Sequence, residues 1–306
     1  MRFQPNEDQA TFLSVLDQMA EGDAAAWKTS PEWARFEWSE TFDGMLEANG
    51  FLDCAGEETL GLTMAVAMTH RVARLPVLAE CAASAVLRPL VGPELPRPIA
   101  VVDGAPGDAI RFLPVARSVV HIGEGGVRRA VLNPNSVSPV DSLFAYPMGR
   151  LAAGALEWQA VDADPETVGN AWRAALAAEL GGTLKGGLDA VVAHVKERRQ
   201  FGRPLGSFQA IQHRLAGAAT RIEAAYWLAL KAAQSLDPVD AATALGYVQD
   251  AATRIVNDLH QFMGAMGLTL EHPLHRWTYR ARLLRSAMGG AAGNLEDLAE
   301  RRWRAA

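Results

Sequence analysis

Only two cysteines, Cys54 and Cys81, occur in the 306 residues of the chain. They form no CxxC pair and no Cys/His ligand spacing, so neither a disulfide framework nor a structural zinc site has a basis, and a reducing, cytoplasmic compartment fits best. An excess of positive charge is also missing. The 29 Lys+Arg set against 35 Asp+Glu leave a net charge of −6, which argues against a basic nucleic-acid surface. Apolar stretches such as Leu60 to Met68 fall short of the ~18 residues a membrane-spanning helix needs. No apolar h-region follows Met1 and Arg2, so the sequence reads as soluble and unprocessed. Low-complexity tracts and internal repeats are absent as well. With 49% hydrophobic and 21% charged residues, the chain can bury one large core or two smaller ones, which excludes wholesale disorder.

What is present falls into three stretches. From Glu7 to about Leu90 the sequence is Ala-rich and helical in pattern, with Phe12, Val15, Leu16 and Met19 spaced by three and four. Ser30 and Pro31 form a possible N-cap and first helical turn, and three to five helices are expected in all. Between Val91 and Val161, Pro93, Pro96, Pro98, Gly104, Pro106 and Gly107 punctuate short β-prone runs. Those runs are Ile99 to Val102, Ala109 to Leu113, Ser118 to Ile122, Val127 to Leu132 and Leu151 to Val161. After Asp164-Pro165-Glu166 the helical pattern returns, with breaks near Gly202 to Ser207, Asp237-Pro238 and Gly267 to Pro273. The expected architecture is mainly α with a small β domain: an N-terminal helical domain over 1–90, a small β domain over 91–163 and a C-terminal four-helix bundle over 164–306.

One segment joins the first two helices of that bundle: Glu197-Arg198-Arg199-Gln200-Phe201-Gly202-Arg203-Pro204-Leu205-Gly206-Ser207-Phe208-Gln209-Ala210-Ile211-Gln212-His213. It ends a helix in cations, turns through Gly202 and Pro204, and restarts from Ser207 as an N-cap. Cations are electrostatically favoured at a helix C-terminus with or without a ligand, so a charged interhelical loop is one reading. A second segment, Gln261-Phe262-Met263-Gly264-Ala265-Met266-Gly267, ends the third helix of the bundle and is followed by Glu271-His272-Pro273 and Arg276.

The first segment resembles the R-x-Q-F-G-x-P-x-x-x-F-Q-x-x-x-H signature of the FAD-dependent acyl-CoA dehydrogenase family, and the second is similar to that family's Q-x-x-G-G-x-G stretch. The resemblance covers most of the chain and is most specific in the C-terminal third. It implies an N-terminal helical domain, a central β domain and a bundle that forms the oligomer core. It also implies FAD shared across a subunit interface, its ADP half reaching into the bundle of the neighbour. By resemblance Arg198 and Gln200 meet the pyrophosphate, Phe201 packs on the adenine-bearing half, and Gln261, Gly264 and Ala265 line the diphosphate from the next helix. The alternatives are a helix-end cation for Arg198, an interhelix plug for Phe201, and tight bundle packing for Gln261 and Gly264.

The sequence also departs from the family. The position of the family's base, a Glu, falls on Met288 in one alignment and on Trp172 in the arrangement that puts it on the first bundle helix, and neither side chain titrates. Arg173 is either a remnant of the substrate-side wall or a helix-surface charge. No loop of the form T-E-P-x-x-G-S-D and no W-I-T-N-like strand is found in the β stretch, which reads as truncated. In Arg276-Trp277-Thr278-Tyr279-Arg280-Ala281-Arg282, Tyr279 and Arg280 replace the family's Arg-Asp pair, which puts the local packing in doubt.

Other chemistry is thin. His213 and His260 read as structural, and Pro273 between His272 and His275 argues against a helical metal face, so no metal site is expected. Gly123-Glu124-Gly125-Gly126 reads as a hairpin turn, and the charged positions from Glu179 to Arg199 as a solvated helix face. The asymmetry between the two halves points to a shortened, non-catalytic subunit of a heteromeric acyl-CoA dehydrogenase. Its partner would be a paralogous full-length subunit in an α2β2 heterotetramer, the substrate an acyl-CoA with a bulky or steroid side-chain acyl group, with no nucleic acid and no membrane span involved. The alternatives are a self-sufficient homo-oligomer with a displaced base, Glu179 or Glu271, and an inactive scaffold or CoA-thioester-binding protein.

Overall fold

The structure, a computed structural model, describes residues 5–22, 26, 35–103, 108–123, 125–152, 154 and 156–304. The Ser30–Pro31 cap, the Gly104, Pro106 and Gly107 punctuation and Glu124 of the expected hairpin turn lie outside these residues. Helix α1, Glu7–Ala20, starts from a capping box in which Asn6 accepts from Gln9 N and the Gln9 side chain accepts from Asn6 N. Its buried stripe is Leu13 and Leu16, with Phe12 and Met19 packed beside them, while Val15 faces solvent. Helices α2 (Glu40–Ala48) and α3 (Gly61–Ala73) follow, then a π-helical turn over Ala83–Leu87 and the short α4 (Arg88–Val91). A buried polar knot ties this region to the strands: Arg97 bonds Asp43 Oδ1 at 2.8 Å, Ser84 Oγ at 3.2 Å and Glu80 O at 2.9 Å, and the Glu80 carboxylate accepts from Ile99 N.

Strands β1 (Ile99–Val102), β2 (Ile110–Arg111), β3 (Ser118–Gly123) and β4 (Gly126–Val131) match the expected runs, with β3 and β4 each reaching one residue beyond them at the hairpin. Two more do not: β5 (Val137–Val140) and β6 (Met148–Leu151) pair with each other and with β2 in a three-stranded sheet of order β2-β6-β5. The run Leu151 to Val161 is strand only at its ends, in β6 and in β7 (Gln159–Ala160). The second sheet has the order β1-β3-β4-β7, with β1 parallel to β3 and the rest antiparallel. Gly123 pairs with Gly126 across the β3–β4 hairpin.

From Asp164 the chain is helical. Helix α5 (Pro165–Glu197), capped by Asp164 on Glu166 N and Thr167 N, is the central helix, roughly 50 Å long at 1.5 Å per residue. It is buried along most of its length, Glu179 included, whereas Asp189, Lys196, Glu197, Arg198 and Arg199 are exposed, so the expected solvated face is present toward the C-terminal end and fails at Glu179. Glycines allow the burial. A Cβ on Gly182 would lie 2.0 Å from His70 O, and one on Gly186 would lie 2.4 Å from both Arg74 O and the Trp277 indole nitrogen. Helix α3 therefore sits directly on the α5 backbone.

After β8 (Arg199–Gln200) and β9 (Arg203–Pro204) come α6 (Gln209–Ser235) and α7 (Pro238–Met263), the latter capped by Asp237. Phe208, not Ser207, is the N-cap of α6, because the Ser207 hydroxyl donates to Pro204 O instead. The expected fourth long helix is broken into α8 (Leu274–Leu284) and α9 (Gly290–Ala299). At the break Met288, Gly289 and Gly290 all have positive φ, which an α-helix cannot accommodate. The Gln249 amide donates to Leu284 O and Ala287 O, and the Asn294 amide to Met288 O and Gly290 O, so the turn is held by side chains from α7 and α9. In the arginine-rich stretch Arg276 bonds Glu37, and Arg280 donates to the backbone acceptors Leu75 O and Pro76 O. No helix among the described residues is long and apolar enough to cross a membrane.

Candidate functional site

Two regions carry the candidate residues, and they lie at different places on the bundle. The first is the end of the bundle where α5 and α7 finish and α6 begins. Arg198, the C-cap of α5, leaves the helix in an extended conformation and the chain enters a hairpin pairing Arg199 with Pro204 and Gln200 with Arg203. Phe201 and Gly202 fill its two-residue turn at φ +54° and +78°, the geometry that hairpin twist favours and that normally selects Asn-Gly. A phenylalanine there is strained, and its ring is 86% exposed. That exposure excludes the interhelix plug. Phe208 stands edge-on to it with ring centroids 6.1 Å apart, and the Arg203 guanidinium lies 4.0 Å from the Phe208 centroid.

The second motif meets the first here because the helices run antiparallel. Arg214, near the start of α6, bonds Asp258 near the end of α7 and stacks on Phe262 at 4.8 Å. At the opposite end Lys231 pairs with Asp240 at 2.7 Å. Gln261, Gly264 and Ala265 thus share the exposed end with Arg198, Gln200 and Phe201, and all six are solvent-facing apart from partial cover at Gln261's neighbours. Gly264 adopts φ +66° and ψ −146°, a conformation open essentially to glycine alone, with nothing within 4 Å of where a Cβ would stand. The side chains of Arg198, Gln200 and Gln261 make no hydrogen bond or ion pair among the described residues. Their donors are unspent. Leu268, 80% exposed, and Met266 add apolar surface beside them. A cluster of free guanidinium and amide donors around an exposed aromatic ring fits a diphosphate with an attached planar base.

The second region is a cleft of about 300 Å³ between the strands and the α8–α9 break, lined by Val101, Asp103, Asp108, Arg111, Leu284 and Met288 among others. Met288 lies on this cleft, at φ +49°, whereas Trp172 is 2% exposed and closed off behind it. The Trp172 indole donates to Asp103 Oδ2 at 2.8 Å, and the Arg111 guanidinium packs over the rings of Phe112, Tyr146 and Trp172 at 5.5, 5.3 and 5.5 Å. Arg111 also bonds Glu179 at 2.5 Å, and Tyr146 donates to the same oxygen at 2.9 Å. Burial works against the charge on Arg111, yet Glu179 and Tyr146 hold its pKa above the ordinary arginine value. Burial, then the Glu179 charge, raises the Tyr146 phenol.

Neither displaced-base candidate faces the cleft. Glu179 is held behind Arg111, and Glu271 stands beyond the far end of α8, whose 11 residues span roughly 16 Å. Arg173 is not among the residues lining this cleft; it is largely buried, which lowers its pKa, and pairs with Asp297 of α9 at 3.0 Å. The Arg111–Glu179 pair was not visible in the sequence, since the partners are 68 residues apart and carry no shared motif. His260 bonds Thr278 at 3.1 Å, a structural contact, and no metal-binding group of His, Cys, Asp and Glu exists among the described residues.

Known proteins resemble the chain in sequence and in fold. Residues 167–302 match the family Acyl-CoA dehydrogenase, C-terminal domain. Acyl-CoA dehydrogenase FadE34 of Mycobacterium tuberculosis is 31% identical over 198 residues, which is 62% of this chain and 27% of that protein. The chain spans less than half the length of the curated relatives it matches. A chain of the ChsE4–ChsE5 complex from Mycobacterium tuberculosis superposes with a TM-score of 0.79 at 20% identity, covering 98% of both chains. One from the Tcur3481–Tcur3483 steroid ACAD gives 0.77 at 22%, covering 96% of this chain and 97% of that one. At such identities the structural likeness is one of fold. Taken with the sequence match over the bundle, it shows that residues 167–302 form an acyl-CoA dehydrogenase C-terminal domain within a chain of that fold.

Proposed function

We propose that the chain is the partner subunit of a heteromeric, FAD-dependent acyl-CoA dehydrogenase, giving the ADP-side half-site while a full-length paralogue supplies the catalytic Glu. The observation that carries this reading is the contrast between unspent donors at the exposed bundle end and a cleft region where both family base positions, Met288 and Trp172, hold side chains that do not titrate. In this reading residues 1–90, 91–163 and 164–306 are the three domains, and the complex is a cytoplasmic α2β2 heterotetramer. The substrate is an acyl-CoA thioester, and the bulky or steroid side-chain class is favoured because the ChsE4–ChsE5 and Tcur3481–Tcur3483 assemblies are pairs and the second is a steroid ACAD.

Bound FAD supplies the hydride acceptor for α,β-dehydrogenation. Arg198 and Gln200 hold phosphate oxygens through N–H donors, and Gln261 donates from the facing loop. Gly264 and Ala265 bring backbone close to the same anion, because neither has a side chain that would hold it away. Phe201, presented outward, covers the adenine-bearing half and keeps water from the phosphates. In this reading the cleft seats no flavin of its own: Arg111 on its wall is paired with Glu179, and Ser286, a hydroxyl beside it, donates to Leu283 O.

The test is flavin content by visible absorption, for the chain purified alone and after coexpression with a full-length paralogue. The expected result is none alone and about one per pair in the complex. Stoichiometric flavin in the isolated chain overturns the reading, and none in either preparation leaves an inactive scaffold.

A further inference from the structure

Thr183 departs from the behaviour of three other threonines in these helices. Thr69, Thr220 and Thr243 each donate to the carbonyl four residues earlier, at 2.8, 3.0 and 2.6 Å. Thr183 is fully buried in α5, and its Oγ1 has no partner among the described residues. Glu179 Oε2 and Arg280 Nε are among the other buried atoms in that state. All three residues line one cavity between α3, α5, α8 and the strand region, with about 20 Å³ of room for the centre of a water molecule. Its other lining residues, Tyr146, Phe112 and Cys81 among them, are buried too.

We propose that this cavity binds a single water molecule, which accepts from Arg280 Nε and donates to Glu179 Oε2 and Thr183 Oγ1. One water needs ~10–15 Å³ on this measure and two to four polar partners, and both conditions are met. Glu179 and Thr183 are four residues apart on one helix face, so a single bridging molecule can reach both. The carboxylate opposes an anion, and the Arg280 guanidinium, whose pKa burial pushes down to about 10, opposes a cation. Three polar atoms oppose a dry void. A small neutral molecule that both donates and accepts is what remains.

The water joins three parts of the fold at one point. Arg280 already holds Leu75 O and Pro76 O of the N-terminal helices, and Glu179 holds Arg111 and Tyr146 of the strand region. Fixing the second oxygen of Glu179 fixes the rotamer that seats Arg111 in the cleft wall. Glu179 and Thr183 are then positioning residues for that wall, whatever the cofactor arrangement of the complex.

The test compares Thr183→Val with the parent, because valine keeps the shape and removes only the hydroxyl. A bound water predicts a melting temperature lower by about 2 °C or more, with Thr183→Ser closer to the parent. A dry cavity predicts the opposite sign, since Thr183→Val then deletes an unsatisfied buried hydroxyl, and an equal or higher melting temperature overturns the proposal. A high-resolution crystal structure of the full chain, pressurised with xenon, decides the matter if the valine variant fails to fold. The expected density is one solvent peak ~2.7–3.2 Å from Glu179 Oε2 and Thr183 Oγ1. Xenon in its place, or no peak, overturns it.

Discussion

The exposed bundle end and the cleft are built from the same residue types, and they use them in opposite ways. In the cleft, Arg111 has Glu179 as its counter-ion and three aromatic rings around it. At the bundle end, Arg198 has neither, and Phe201 is strained into solvent. An arginine whose donors are consumed internally holds a fold together, whereas one whose donors are free is available to something outside the chain. The two regions therefore differ in what their loss should cost: stability at the cleft, cofactor retention at the bundle end.

The largest effect is expected from Arg111→Ala. It leaves Glu179 buried without its counter-ion, and breaking such a pair from one side costs ~3–5 kcal/mol. Urea unfolding of the isolated chain measures this. A loss under about 1 kcal/mol would place Arg111 among the spare cations and collapse the contrast. Next in size is Arg198→Ala, which removes phosphate donors and no core volume. Flavin retention by the complex should weaken by roughly 10–100-fold, the range for a charge-assisted hydrogen bond, while unfolding of the chain alone shifts by less than ~0.5 kcal/mol. Retention equal to the parent would mean the loop is a helix-end feature only.

A smaller effect separates strain from function at Phe201. Replacing it with glycine relieves ~1–2 kcal/mol of left-handed strain and adds ~0.5–1 kcal/mol of freedom to the unfolded chain. Phe201→Gly should therefore stabilise the isolated chain by roughly 0.5–1 kcal/mol while lowering flavin retention in the complex. A variant both less stable and fully flavinated would show that the ring serves the hairpin itself.

Legibility in the sequence followed the range of the interactions. The bundle was readable because each long helix carries its own period and its own stop: Asp164-Pro165 and Asp237-Pro238 open α5 and α7 as caps followed by proline. The motif residues were readable because the hairpin that presents them is local. Strands β5 and β6 were not. Val137-Ser138-Pro139-Val140 and Met148-Gly149-Arg150-Leu151 contain a proline or a glycine and few β-formers, and they are strands because they pair with each other and with β2. The solvated face expected along Glu179 to Arg199 is exposed at Asp189, Lys196, Glu197, Arg198 and Arg199, and it fails at Glu179 for a similar reason. Charged residues mark a surface only if no partner arrives, and Arg111 arrives from a distant strand. Arg173 likewise finds Asp297, which no local pattern ties to it.

The smallest expected effect is the sharpest test of the cleft. Met288→Glu restores the family's base at the position one alignment gives it, on a residue that already lines the cleft. Its backbone conformation is set by the amides of Gln249 and Asn294 rather than by its own side chain, so glutamate can occupy the site without rebuilding the turn. A base alone is still insufficient. The proton it would take belongs to a thioester that must lie against a hydride acceptor, and the wall residues Asp103 and Arg111 are already engaged, with Trp172 and Glu179. The isolated Met288→Glu chain should show no acyl-CoA-dependent reduction of an artificial electron acceptor, even with FAD added. Turnover would mean that the cleft seats a flavin of its own, and the division of labour between the two regions would have to be abandoned.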